Sequence, residues 1–264
     1  MGLSLTEKSF LYDSLTLDPP LRPDGRGPHQ FRPLEVSTDF LPNSNGSSRV
    51  ILSGGSECIV SVKTKVVDHT VEQELLVADV DIQGHRDDSP LVTSMSSLLS
   101  KLLKQTIDQK KLMLTKRYSF KLYIDVLVLA SKSYPISMIS FAIFSALKNT
   151  WLPKLISNDD DLEVEELPTF HDYDMVKLEA DAPLLFTFAI VGDGVFVDPT
   201  FEESIVSNNG LLITWYKDKV TSPIRSVGLN NDNIKGFSQH HLEQAFKLIR
   251  QYAPHIEKAL DASD

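Results

Sequence analysis

The chain has one cysteine, Cys58, among its 264 residues. No disulfide can close within it, and no cysteine-based zinc site can form. Followed by Ile59 and Val60, Cys58 reads as a small buried hydrophobe rather than a nucleophile. Long apolar runs are also missing. The purest one, Leu184 to Val191, falls far short of the roughly 20 residues that a membrane-spanning helix requires. Glu7, Lys8 and Asp13 interrupt the first turns, so no signal-peptide core is expected there. Net positive charge is absent as well. A formal charge of −10 excludes broad, non-specific attraction to nucleic acid and leaves RNA contact to a local basic strip or a basic partner. Together these absences describe a soluble intracellular protein without membrane contact.

What is present supports a large core. The apolar fraction of 42% is near the globular average, and the length suits roughly two domains or one large one. Residues 1–18 read as a short amphipathic helix, with Leu3, Phe10, Leu11 and Leu15 at helical spacing. Pro19, Pro20 and Pro23 stop it, and Asp24-Gly25-Arg26-Gly27 is a turn sequence. Past the Ser53-Gly54-Gly55 turn, Cys58, Val60, Val62, Thr64 and Val66 alternate with polar residues as in a half-buried strand. Leu75 to Val80, apolar on both faces, reads as a central strand.

Pro90 opens a helix with Val92, Met95, Leu99, Leu102 and Leu103 on one face. Tyr118 to Leu129 returns to a period of two. Pro135 then starts a helix with a stripe of Ile136, Ile139, Ile143 and Leu147. Asn158 to Glu166 is an acidic, solvated connector and the best boundary. Strands near Leu184–Val191 and Val195–Val197 follow, then a hairpin-like pair, Leu211–Lys217 and Val220–Val227. Ser238 caps a last helix with a stripe of Leu242, Ala245, Phe246 and Ile249, which Pro254 is expected to kink or break near Tyr252. Each half runs from strands to helix, which gives an α+β fold. The expected division is a lead-in over 1–23, a first domain over 24–157, a connector over 158–182 and a second domain over 183–264.

Other clusters read as structure. Asp79, Asp81, His85, Asp87 and Asp88 fit a surface loop better than a metal site. His171-Asp172-Tyr173-Asp174 reads as linker. His240 and His241 are adjacent on a helix and diverge, so they do not chelate one ion. No metal, cofactor or Ser-His-Asp set is expected.

Three separated strings carry a resemblance. They are Arg22-Pro23-Asp24-Gly25-Arg26 with Arg32-Pro33-Leu34; Lys121-Leu122-Tyr123-Ile124-Asp125-Val126; and Asp193 to Glu203. In order and spacing they resemble the RNase PH family, and within it the non-catalytic ring subunits of the eukaryotic RNA exosome. The resemblance implies the RNase PH fold, a unit like ribosomal protein S5 domain 2 followed by a smaller α+β domain. It implies chains that pair and close a hexameric ring around a channel for single-stranded RNA. The implied partners are other RNase PH-like ring subunits, S1/KH-type RNA-binding cap subunits and a separate hydrolytic nuclease. The implied role lies in RNA processing, rRNA processing and RNA degradation, in the nucleus and nucleolus and also the cytoplasm.

Active members of that family hold the attacking phosphate with a small-residue turn ending in arginine, at a helix N-terminus. Here the turn is Ser131-Lys132-Ser133-Tyr134-Pro135, with Pro135 at the arginine position; Lys132 lacks the forked geometry. The family's two aspartates fall on Asp198 and on Ser204, with Glu202 and Glu203 offset from the second. No catalytic residue is therefore expected, and the chain is expected not to be an enzyme. The alternative is a phosphate-dependent 3′→5′ exoribonuclease, acting alone or with a catalytic sister chain. Lys101 and Lys104, three apart on one helix face, are the candidate RNA contacts, with Lys110 and Lys111 nearby; the competing reading is a solvated helix surface.

Overall fold

Strand periodicity produces two main sheets, and one helix is buried between them. A computed structural model describes residues 3–157, 166–230 and 235–262. The first sheet has the order β1 (Leu34–Thr38), β2 (Gly46–Leu52), β3 (Ser56–Asp68), β5 (Tyr118–Ala130) and β4 (Leu76–Ile82). All its neighbours are antiparallel except β4 and β5, which are parallel and joined through helix α2 (Pro90–Thr106). Cys58, Val60 and Val62 of β3 face inward with Leu122, Ile124, Val126 and Val128 of β5. The second sheet has the order β11 (Lys219–Val227), β10 (Asn209–Tyr216), β8 (Leu184–Val191) and β9 (Gly194–Val197).

Helix α3 (Ile136–Lys148) lies against β2 and β3 on one side and β8 on the other. Eleven of its thirteen residues are buried, so the expected single stripe is corrected to burial nearly all round. The cause is the second sheet, which covers the face that one sheet would leave wet. Ser137 and Ser140 sit on that face. Strand β9 pairs with β8 only over Phe188–Val191, and β8 continues beyond it with amides that need acceptors. The Leu185 amide donates to Ser140 Oγ at 2.9 Å and the Thr187 amide to Ser137 Oγ at 3.0 Å. Close approach also fixes Gly46, where a Cβ would stand 2.3 Å from Thr150 Oγ1 and 2.7 Å from the Ala146 carbonyl oxygen.

Several expectations are corrected. Leu75–Val80 belongs to an edge strand, β4, whose Asp79 and Asp81 are exposed while Leu76, Ala78, Val80 and Ile82 pack inward. The first helix, α1 (Leu5–Leu15), buries only Leu15 fully; Leu5 and Phe10 are 85% and 71% exposed. Its C-terminal part packs with Val191, Phe196 and Val206, and its N-terminal turns lie beyond that cluster. Pro254 does not break the last helix, α5 (Gln239–Asp261). A mid-helix proline costs a hydrogen bond and roughly 3 kcal/mol, but Ile249, Ala253 and Leu260 are buried on either side of it and hold the helix together.

Two of the strands that periodicity does not reveal form a separate arm. β6 (Trp151–Leu155) and β7 (Phe170–Lys177) pair antiparallel, and β7 occupies His171-Asp172-Tyr173-Asp174, read above as linker. The expected connector, 158–182, thus contains a strand; residues 158–165 of it lie outside the described residues. A short helix, α4 (Phe201–Val206), also follows β9.

Candidate functional site

The first and third motif strings meet in space. The proline-rich lead-in after α1 has no regular structure, and its three arginines reach the β9–α4 turn. Arg32 grips Asp198 as a fork, with Nη2 2.6 Å from Oδ1 and Nε 2.9 Å from Oδ2. The Arg32 backbone amide donates to the same Oδ2 at 2.9 Å, and Arg26 Nη1 approaches it at 3.2 Å. Burial opposes the Arg32 charge, but the hydrogen bond and charge of Asp198 outweigh it and raise the guanidinium above its ordinary value. Behind this pair, Arg22 and Glu203 form a second one, fully enclosed, with Nε 2.6 Å from Oε1.

The local sequence explains the turn. Asp198 adopts a left-handed φ of 46°, which aspartate tolerates better than most residues. Thr200 then caps α4. Its Oγ1 accepts from the Glu203 amide at 3.3 Å, and Glu203 Oε2 accepts from the Thr200 amide at 2.8 Å. This Thr-x-x-Glu capping box is a sequence-level signal that could have placed both α4 and Glu203.

The turn matched to the phosphate loop lies beside Asp198. Arg32 Nη2 donates to Ser133 Oγ at 3.2 Å. Pro135 is the N-cap residue of α3 and makes no side-chain cap hydrogen bond. Lys132 is exposed and does not line the cavity that Arg32, Ser131, Ser133, Tyr134, Pro135 and Asp198 enclose with neighbouring side chains. That cavity measures about 20 Å³, room for a single water. Ser204, at the second acidic position, is buried and donates from Oγ to the Thr200 carbonyl at 2.7 Å. Glu203 is held by Arg22. Glu202 lines a separate apolar surface beside Leu3, Phe10 and Leu11.

Chemically, the Asp198 carboxylate accepts four hydrogen bonds from two arginines. A cation or a substrate hydroxyl would have to displace a guanidinium to reach it. The second motif string lies elsewhere, on β5, where Lys121 pairs with Glu72 and Asp125 is exposed.

The candidate RNA contacts are also remote from this cavity. Lys101 and Lys104 are both exposed on α2. Lys104 is ion-paired with Glu74, whose carboxyl is held below its ordinary value by that hydrogen bond and charge. Lys101 lines a groove between α2 and β11, with Ser97, Gln105 and Arg225, that shares no residue with the Asp198 cavity. Lys110 and Lys111 lie on a 3-10 helix, Gln109–Leu112, and Lys111 pairs with Glu179 at 3.2 Å. Among the described residues no group of three or more His, Cys, Asp or Glu side chains is placed to hold a metal ion.

The fold and the site define a two-sheet α+β chain with an arginine–carboxylate clasp beside the Ser131–Pro135 turn. Comparison with known proteins makes the assignment specific. The profile of the RNase PH, 3′ exoribonuclease family, domain 1, matches residues 30–153. A Saccharomyces cerevisiae protein named exosome complex component RRP42 is 60% identical over 263 residues, covering 99% of each chain. The solved archaeal exosome core superposes with a TM-score of 0.74 at 18% identity, covering 97% of this chain and 96% of that one. A solved Archaeoglobus fulgidus exosome with RNA bound to the active site gives the same TM-score over 96% and 97%. The chain belongs to the RNase PH family, and its fold is that of the exosome core subunits.

Proposed function

We propose that this chain is a non-catalytic structural subunit of the hexameric RNase PH-like ring of the RNA exosome. In this reading it forms part of the channel that guides RNA 3′ ends to a separate nuclease for 3′→5′ processing and decay. Its partners are the other RNase PH-like ring subunits, the S1/KH-type cap subunits, the hydrolytic nuclease and single-stranded RNA. Full-length identity to a named exosome component supports ring membership.

The observation that carries the non-catalytic part is the closed Asp198 site. Phosphorolysis needs a cationic pocket for the attacking phosphate and free carboxylates near the scissile bond. Here Pro135 stands at the arginine position and Ser204 at the second acidic one, while Asp198 is engaged by Arg26 and Arg32. A phosphate-dependent exoribonuclease acting alone would need a phosphate-binding cation from elsewhere and release of Asp198 from Arg26 and Arg32.

Tagged chain recovered from cells should bring equal amounts of other RNase PH-like and cap proteins. Recovery of the chain alone sinks ring membership. Release of nucleoside diphosphates from RNA and phosphate by the purified chain, abolished in Asp198→Ala, would reinstate the rival. For RNA contact, Lys101 is the stronger of the two candidates, because Lys104 already has a partner. In the assembled ring, Lys101→Ala should reduce the salt slope of RNA binding by about one, as loss of one phosphate contact does. An unchanged slope removes Lys101 from the channel.

A further inference from the structure

We propose that the groove between α2 and β11 is a phosphate-binding site, with Lys101 from one wall and Arg225 from the other as its cations. The chain has 36 acidic side chains against 26 lysines and arginines. Yet α2 and β11 together carry Lys101, Lys104, Lys219 and Arg225, and neither element contains an Asp or Glu. Lys104 is paired with Glu74, and Lys219 lies outside the groove. Lys101 and Arg225 line it, and neither has a carboxylate partner among the described residues.

Local structure turns both cations toward the same space. Ser94, Ser97, Lys101 and Gln105 follow one another at three- and four-residue steps, so they share one face of α2. Leu98 and Leu102 are buried beneath them. On the other wall, the pairing of β10 with β11 steps from Ile213–Ile224 to Thr214–Thr221, which makes Ser222 and Pro223 extra residues in β11. A bulge of this kind re-aims the side chains around it. Thr214 Oγ1 fixes it by donating to the Pro223 carbonyl at 2.9 Å. The Tyr216 hydroxyl donates to the Thr106 carbonyl at 3.0 Å and ties the second sheet to the end of α2. The groove between these walls measures about 390 Å³, within the range of small-ligand sites.

The lining suits a phosphate group. Ser94, Ser97 and Ser222 offer hydroxyls and Gln105 an amide, all able to donate to phosphate oxygens, and no carboxylate stands among them to repel an anion. Arg225 Nε is enclosed without a hydrogen-bond partner among the described residues. Its neighbour Tyr134 supplies no counter-charge, because burial raises that phenol above its ordinary value against the pull of Arg225 and keeps it neutral. No aromatic ring lines the groove, so a nucleotide is held there by its phosphate and not by stacking of its base. The phosphate has two sources, a free ion or a phosphodiester of single-stranded RNA. The second source rests on the function proposed above, which already gives Lys101 to RNA; the site itself does not.

Proton–nitrogen NMR of the arginine Nε groups in the purified full-length chain reads the site directly. Arg225→Lys removes one signal and so identifies it. Sodium phosphate, titrated against sodium chloride at equal ionic strength, is expected to shift the Arg225 signal saturably where chloride does not. Lys101→Ala should weaken that titration about five-fold, as loss of one exposed charge contact does. Lys219→Ala, an equal charge change outside the groove, should leave it unaltered. If a strand is the source, short oligo(A) and oligo(U) RNAs shift the same signal equally and compete with phosphate. A phosphate shift without an RNA shift supports the site with the free ion as its ligand; the RNA role of Lys101 is decided separately, by the salt slope of the assembled ring. The absence of a saturable shift with either ligand overturns the proposal. So does full affinity in Lys101→Ala, or a loss in Lys219→Ala as large as that in Lys101→Ala.

Discussion

Arg22 and Glu203, 181 positions apart in sequence, form an ion pair whose two side chains are fully enclosed. Arg22 also donates to the carbonyl oxygens of Val197 and Asp198 at 3.1 and 3.2 Å, so one guanidinium ties the lead-in to the whole β9–α4 turn. Removing one member of a buried pair leaves the other as an uncompensated charge and costs about 3–5 kcal/mol. Glu203→Leu should therefore lower unfolding stability by that amount in urea denaturation. Replacing both residues with apolar ones of similar volume should recover much of the loss. If the single variant unfolds with wild-type energetics, the pair is not a clasp.

Asp198 should behave as a structural residue. Asp198→Ala strands the donors of Arg26 and Arg32, and about 3 kcal/mol of stability is expected to go with it. Calorimetry should show a lowered Tm. Nucleoside diphosphate release should be absent both before and after the change. Asp198→Asn keeps an acceptor for Arg32 and should be milder.

Asp68 gives the molecule an acid-sensitive contact. Its carboxylate accepts from Thr70 Oγ1 at 2.6 Å and from Arg117 Nε at 2.8 Å. The Thr70 hydroxyl and then Arg117 hold its pKa down to about 2. An unfolded aspartate titrates near ~3.9. The folded value is the lower one, so this contribution is complete above about pH 4 and disappears as pH falls through about 2. Carbon-detected NMR titration should place the Asp68 midpoint near 2. In Asp68→Asn, the part of the stability change that occurs between pH 4 and 2 should shrink; an Asp68 midpoint at the ordinary value would remove the contact from solution.

Cys58 should be silent in the folded chain. It is fully buried, and burial pushes the thiol up to about 12. At pH ~8 the thiolate, which is the reactive form, is therefore scarce as well as inaccessible. A disulfide reagent should label no cysteine in native protein and one per chain in denaturant. Rapid labelling of the native chain would contradict its placement on the inner face of β3.

Most of the sheet framework is readable from periodicity alone. β3, β5, β8, β10 and β11 lie where alternation or an apolar run places them, Pro90 opens α2, and Ser238 caps α5. The arm formed by β6 and β7 escapes the same reading. Pro153 interrupts one strand, and the other has no buried face to produce alternation. Its pairing is carried by backbone groups, which leave no side-chain pattern. The burial of α3 on two sides was equally hidden, since nothing in Ile136–Lys148 says that a second sheet will arrive from residues 184–191.

The site divides in the same way. Resemblance to the family placed Pro135, Asp198 and Ser204, and the geometry sets the first two around one small cavity. The identity of the clasping groups was not legible. Arg22, Arg26 and Arg32 stand in a motif string without any local mark of their partners, because each contact closes across more than 160 residues.

The position of α3 between the sheets bears on the order in which the chain is made. When the ribosome has released the first sheet and α3, the face of that helix bearing Ser137 and Ser140 has nothing to rest on. Its covering strand, β8, begins at Leu184, 36 residues beyond the end of α3 at Lys148, and has yet to be synthesised. At translation rates of roughly 5–20 residues per second, the half-built protein spends on the order of seconds with its most apolar helix open on one side. A nascent chain stalled before residue 184 is thus expected to present that apolar face to solvent, where it favours aggregation.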